Sequence, residues 1–249
     1  CEAVDSVVLY EGEQTLLELL AAIDSGADWR SVPGLAFRRD GEALTSGLRP
    51  LLHDLDALPF AARDYVPFIK ERLAGIGVVS IAGSRGCCAN CGFCSIRQFY
   101  SDPGGPTYRL RSVGDLVDEI EQLTKQYGID ELLLIDDIFT LPGRRGDERV
   151  DQLVGELRAR DLGVMLSISD RVDHITRPRY DKLHQAGVRQ IMVGVEATNE
   201  EILRFLNKQI SLPEIRRALQ VLAELEIDAT VTYINFTPSW GASPPALQE

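Results

Sequence analysis

From Gly75 onward, short β-branched apolar runs alternate with stretches in which apolar residues recur every three or four positions. The runs at 76–82, 132–135, 164–168, 190–195 and 229–236 read as five strands. Between them, Val113, Leu116, Val117, Ile120, Leu123 and Tyr127 mark one helical stripe. Val150, Leu153, Val154 and Leu157 mark a second, and a further helix is predicted around 180–186. Ser112 with Asp115, Thr198 with Glu201 and Ser211 with Glu214 have the spacing of helix caps. Apolar strands separated by helices predict an α/β fold, a parallel sheet covered by helices on its outer face. Periodicity leaves open whether such a sheet closes as a barrel or stays an open doubly wound sheet.

Upstream the pattern differs. Residues 5–10 form a short apolar strand, and Leu16, Leu17, Leu19, Leu20 and Ile23 come next at helical spacing. Two extended runs then flank Asp40-Gly41, a strong hairpin signal. Residues 49–68 are rich in Pro and Leu and read as a linker that packs onto the repeating core. Three regions are therefore expected: 1–48, a small α/β remnant of an N-terminal domain; 49–74, a linker; and 75–249, the repeating core. Cys1 in place of methionine, with a strand at once behind it, reads as a chain cut from something longer.

Composition narrows the function classes. The chain is 45% hydrophobic and 26% charged with a net charge of −12, and no Lys/Arg-rich block offsets that sign. An acidic surface repels phosphate, so no nucleic-acid partner is expected. The apolar runs are too short and interrupted for a membrane span, and no signal peptide is evident. A cytoplasmic, reducing location is therefore expected.

Four of the five cysteines, Cys87, Cys88, Cys91 and Cys94, crowd one loop after the first core strand. The spacing Cys87-x3-Cys91-x2-Cys94 suits three thiolates on a [4Fe-4S] cluster, leaving the fourth iron without a protein ligand. Cys88 offers an alternative register, Cys88-x2-Cys91-x2-Cys94, or a fourth thiolate. A structural zinc site needs four closed ligands, and His53, His174 and His184 are remote in sequence. Inert buried thiols suit a loop containing Gly86, Asn90 and Gly92 poorly.

This run, with Phe93 before its last cysteine, resembles the signature of the radical S-adenosylmethionine (SAM) superfamily. The resemblance implies a partial (β/α)6 TIM-like barrel with the cluster loop after strand one, of which five units are visible and the last is missing. It also implies two cofactors, a [4Fe-4S] cluster and SAM, whose amino and carboxylate groups chelate the open iron. One electron then cleaves SAM to methionine and a 5′-deoxyadenosyl radical, which abstracts hydrogen from a substrate. The implied partners are a small-molecule or natural-product-type substrate and an electron donor of flavodoxin or ferredoxin type.

The strand ends carry the rest of the resemblance. Phe93 is expected to back the adenine, and Asp136, beside Asp137, to hold the SAM amino group or else cap the following turn. Arg171, in Ser167-Ile-Ser-Asp-Arg171-Val-Asp173, is expected to pair with the SAM carboxylate or to bridge to Asp170 or Asp173. Glu196, in Gly194-Val-Glu196-Ala, is expected on the SAM ribose or amino group. The helix ending in Asn207-Lys208 also matches, as a structural feature. Arg109 and Arg111 read as surface charges, or else as substrate contacts, and His174 and His184 as solvated or packed. Tyr10-Glu11-Gly12-Glu13 and residues 55–64 are similar to the tail and linker of a cobalamin-binding domain. Cobalamin is thus expected in a full-length parent, although this chain has no cobalt-ligand motif. Two further classes compete: a non-catalytic iron–sulfur or zinc-binding module on a degenerate barrel, and a four-cysteine electron carrier using Cys88.

Overall fold

The computed structural model describes residues 4–67 and 78–235. The N-terminal unit is a three-stranded antiparallel sheet of β1 (Ser6–Val8), β2 (Leu35–Arg39) and β3 (Glu42–Thr45), with α1 (Glu13–Ser25) between the first two strands. The hairpin turns at Asp40 and Gly41, with φ of 52° and 86°. Both lie in the left-handed region that a tight two-residue hairpin requires. Only Thr15 and Leu19 of α1 are buried, whereas Leu16, Leu17, Leu20 and Ile23 stand exposed. Three short strands bury one narrow stripe of the helix, not the broad face its sequence predicts.

The core begins with β4 (Val78–Ile81), after which a small antiparallel hairpin, β5 (Ser84–Gly86) with β6 (Tyr108–Leu110), stands apart from the main sheet. That sheet contains β4, β7 (Glu131–Leu134), β8 (Met165–Arg171), β9 (Val188–Glu196) and β10 (Asp228–Tyr233), in that order and all parallel. The predicted runs at 76–82 and 229–236 extend beyond the described residues at 76–77 and 236. Each strand lies beside its predecessor. A doubly wound sheet reverses its order at a switch point, and this one does not. With the right-handed crossovers usual between parallel strands, this order sets the connecting helices on one face, as in an arc of a barrel. The burial pattern agrees: Leu132, Leu134, Ile191, Val193 and Val195 are buried, while Leu133, Ile135 and Met192 on the opposite face are exposed.

A short helix, α2 (Ile96–Ser101), lies in the cysteine region. The covering helices are α3 (Val113–Tyr127), α4 (Gly143–Ala159), α5 (Arg177–Gln185), α6 (Glu200–Phe205) and α7 (Leu212–Glu224). On α3 the predicted stripe is the buried one, with Val113, Leu116, Val117, Ile120 and Leu123 in the core. Each such side chain contributes about 1.5–3 kcal/mol. Ser112 Oγ accepts the Asp115 N–H at 3.1 Å, and Ser211 with Glu214 forms a full capping box. The cap of α6 is Asn199, not Thr198: its side chain accepts from the N–H groups of Glu201 and Ile202. The helix starts one residue later than the Thr198–Glu201 spacing implies, and Asn is an equally good cap.

Among the described residues strand β4 is one edge of the sheet, and arginines close it. Arg63 Nη2 donates to the Ser80 carbonyl at 3.0 Å and Arg111 Nη1 to the Ala82 carbonyl at 2.9 Å. Both arginines share the buried Glu119, at 2.9 and 2.6 Å. Occupied edge carbonyls discourage pairing with another chain. Arg111 is therefore part of the architecture and not a loose surface charge. No helix among the described residues is long and apolar enough to cross a membrane.

Candidate active site

In a parallel sheet every strand delivers its carboxyl end to the same rim, where the loops of α/β barrels gather function. After β4 the chain enters the β5–β6 hairpin, and the cysteine loop leaves β5 directly. Gly86 has a φ of 89°, and a Cβ there would lie 1.9 Å from the Thr107 carbonyl oxygen, so only glycine fits.

Two carboxylates at the end of β7 fix this departure point. Asp136 accepts the Gly83 N–H at 3.0 Å and the Ser84 hydroxyl, and Asp137 accepts the Gly86 N–H at 3.0 Å. Burial pushes the Asp136 carboxyl up to about 6 and also raises Asp137. Both Asp136 oxygens thus face the start of the loop.

The far side of the loop is tied to the turn after α6. The Gly92 N–H donates to the Leu206 carbonyl at 2.8 Å, and Asn207 Nδ2 donates to the Asn90 carbonyl at 2.5 Å. Arg171, the last residue of β8, donates from Nη1 to Cys91 Sγ at 3.2 Å. Its Nε donates to Asp173 at 2.9 Å and its Nη2 to the Lys208 carbonyl at 2.8 Å. Every nitrogen of this guanidinium already has a partner. Beneath it, Asp170 accepts from Thr140 at 2.6 Å, Tyr180 at 2.9 Å and the Arg171 N–H at 2.8 Å. His174 Nδ1 lies 3.3 Å from Asp170 in this same buried network, so it is a packed histidine.

Glu196 ends β9 with a φ of 69°, strained for a side chain with a Cβ. Its carboxylate is buried and accepts from Lys208 Nζ at 3.0 Å. Lys208 also lies over the Phe93 ring, 5.7 Å from its centroid. Cys87, Cys91, Cys94, Phe93, Arg171 and Glu196 therefore belong to one connected neighbourhood. Asp136 joins it only through the hairpin. Sequence reasoning treated Asn207-Lys208 as a structural match, and only the fold reveals how directly it meets the loop.

A second ion network lies behind the hairpin. Glu11 receives Arg109 on both oxygens, at 2.9 and 2.7 Å, and Arg85 at 3.0 Å. Arg109 is buried, which corrects its reading as a surface charge. The signal available in the sequence was the Glu11-Gly-Glu13 pair, which offers two acids to two hairpin arginines.

The donor set fits an iron–sulfur cluster. Three thiols sit on one short loop, Cys94 exposed and Cys87 and Cys91 half-buried, with a guanidinium against one sulfur. Among the described residues no three cysteine, histidine or acidic side chains stand close enough together to hold a metal ion as they are placed, the three loop thiols included. The loop is anchored at its origin through Gly86 and at its middle through Asn90, Cys91 and Gly92. Cys88 is exposed. Its hydrogen bond with Cys87 raises the Cys87 thiol and lowers that of Cys88 to about 7.

Comparison with known proteins agrees with this geometry. The family model of the radical SAM superfamily matches residues 81–239. The chain is 27% identical over 234 residues to an uncharacterized methyltransferase of Pyrococcus horikoshii, covering 94% of this chain and 49% of that protein. It is 32% identical over 246 residues to the anaerobic magnesium-protoporphyrin IX monomethyl ester cyclase of Rubrivivax gelatinosus, covering 93% and 41%. It thus spans less than half the length of these relatives. Among solved structures, the cobalamin-dependent SAM radical enzyme OxsB superposes with a TM-score of 0.78 at 20% identity, over 98% of this chain and 35% of that one. The family match covers well over half of the sequence and contains the cysteine loop and all but the start of the parallel sheet: the chain belongs to the radical SAM superfamily.

Proposed function

We propose that this chain is the cluster- and SAM-binding core of an enzyme that cleaves SAM reductively and draws hydrogen from a small-molecule substrate. Cys87, Cys91 and Cys94 are the ligands of a [4Fe-4S] cluster. The observation that carries the reading is the joining of the three-cysteine loop to the ends of β8 and β9 through Arg171 and Lys208. When bound, the cluster would supply the electron for the reductive cleavage of SAM. Asp136 and Asp137 hold the loop's origin, Phe93 offers a face for the adenine, and Glu196 accepts hydrogen bonds from the ribose or amino group. Arg171, bonded to Cys91, Asp173 and the Lys208 carbonyl, acts on the loop and keeps a second N–H on each terminal nitrogen through which it meets the SAM carboxylate. Reduction requires a donor of flavodoxin or ferredoxin type.

The finer reading is a cobalamin-dependent methylation. The likenesses to the Pyrococcus methyltransferase and to OxsB extend through the N-terminal unit as well as the barrel arc. This supports residues 1–48 as the end of a cobalamin-binding-like domain and 49–74 as its linker. Cobalamin would be held by the parent protein, since this chain supplies no cobalt-ligand motif.

Anaerobic reconstitution with iron and sulfide tests the core of the proposal. Wild-type protein should turn brown and, on reduction, convert SAM to methionine and 5′-deoxyadenosine, and Cys91→Ala should lose most of the iron and the cleavage. Iron and cleavage retained in Cys91→Ala would remove the proposal. A colourless protein carrying zinc would favour the binding module.

A further inference from the structure

Lys208 is a buried ammonium, 5% exposed, to which the proposed chemistry gives no task. It ends a run of three residues that each grip the cysteine loop or its partner. Leu206 takes the Gly92 N–H, Asn207 holds the Asn90 carbonyl, and Lys208 accepts from Arg171 while its ammonium spans Glu196 and Phe93. The backbone here is held in an unusual shape. Asn207 and Gln209 have φ of 49° and 58°. A left-handed residue at the end of α6 is an ordinary helix stop, and Asn tolerates it. A second at Gln209, two residues on, is not explained by helix termination and carries a strain cost.

The side-chain contacts are specific to a cation. Besides Lys208, the buried Glu196 carboxylate has, among the described side chains, only Thr232 Oγ1, at 3.5 Å. An apolar residue at 208 would leave that charge almost unpaired, which a buried carboxylate does not tolerate cheaply. An ammonium has three donors, and the face of an aromatic ring attracts it.

We propose that residues 206–209 form a strap across the cysteine loop and that Lys208 is its positioning residue, joining Glu196 at the end of β9 to Phe93 in the loop. The strap sets the loop's shape before any cluster arrives. Cys91 is thereby presented beside Arg171, and the exposed Phe93 ring is held in place by the ammonium over its face. The inference rests on the reading of this loop as the cluster site, but its test does not depend on cluster loading.

The full chain, metal-free and reduced, is alkylated with N-ethylmaleimide, and each cysteine is followed by peptide mass spectrometry. Exposed Cys94 serves as the internal reference for half-buried Cys91. In Lys208→Ala the Cys91-to-Cys94 rate ratio should rise about tenfold, the factor expected for loss of one charge-assisted bond. In Asn207→Gly, where glycine accepts the positive φ but drops the tether to Asn90, it should rise a few-fold, on the order of threefold, with the fold intact. If Lys208→Ala fails to fold, Asn207→Gly decides alone. An unchanged ratio in folded variants overturns the strap. Wild-type protein that takes up no iron on reconstitution overturns the cluster reading instead, and the alkylation ratio still judges the strap.

Discussion

Arg171 Nη1 lies 3.2 Å from Cys91 Sγ although eighty residues separate them in the chain. A planar guanidinium serves this place because its fork reaches Cys91, Asp173 and the Lys208 carbonyl together. A hydrogen-bond donor on a cluster sulfur raises the reduction potential. Arg171→Ala should therefore lower the midpoint of the reconstituted cluster by on the order of 50 mV, close to a tenfold change for one electron. Arg171→Lys keeps the charge but only part of the contact set, and should fall between. An electron paramagnetic resonance redox titration measures both, and equal midpoints in all three proteins would refute this role.

The cysteine loop was legible because its information is local: three thiols at fixed spacing after an apolar strand. The barrel arc was less so, since strand periodicity is common to open and closed sheets, and only the pairing order of β4, β7, β8, β9 and β10 separates them. Arg109 was misjudged as a surface charge, and the part that Lys208 plays was not visible, for a shared reason. A charged side chain looks solvated unless its partner is known, and those partners lie ninety-eight and twelve residues away, at Glu11 and Glu196. The exposed face of α1 erred in the opposite direction, because an apolar stripe states a need for cover without supplying it.

Gly194 is the place where the Glu196–Lys208 pair leaves no room. A Cβ there would stand 2.4 Å from Glu196 Oε1 and 2.7 Å from Lys208 Nζ. Both are ends of side chains, so the pair would reorient while the strand persisted. Gly194→Ala should weaken SAM binding about tenfold, as expected when one charge-assisted hydrogen bond is lost, while stability falls by less than about 1 kcal/mol. Equilibrium SAM binding and thermal melting together check this. A large drop in stability with unchanged SAM affinity would contradict it.

Asp136 should make stability depend on pH. Burial pushes its carboxyl from 3.8 up to about 6, against the opposing pull of Ser84 and Gly83. The native state then binds this proton more tightly than the unfolded chain. Its contribution is greatest below the unfolded value and is lost as pH rises through the window from 3.8 to 6. The loss amounts to about 2–3 kcal/mol. Asp136→Asn removes the titration, so the wild-type-minus-variant stability from chemical denaturation should fall with rising pH across this window and level off above it. A difference curve that is flat throughout would show that the group does not titrate there.

Glu11 and Arg109 form a two-bond ion pair whose side chains are 9% and 3% exposed. Although burial opposes ionisation, the bonds from Arg109 and Arg85 hold the Glu11 carboxyl below its ordinary value. Removing one member leaves the other charged and desolvated, which costs about 3–5 kcal/mol. Arg109→Met and Glu11→Gln should each destabilise on that scale, Glu11→Gln more so because Arg85 also loses a partner. The double variant should cost less than the two single losses combined, since neither charge is then stranded. Additive losses in a double-mutant cycle would mean that the two side chains act independently. The cycle also tests how firmly the N-terminal unit is fastened to the hairpin that launches the cysteine loop. Arg85 and Arg109 stand opposite each other on β5 and β6, one residue before Gly86 and one after Tyr108. A weakened grip on Glu11 should therefore loosen the loop's origin as well as lower the melting temperature, and hydrogen exchange at the Gly86 amide is the measurement that reads it.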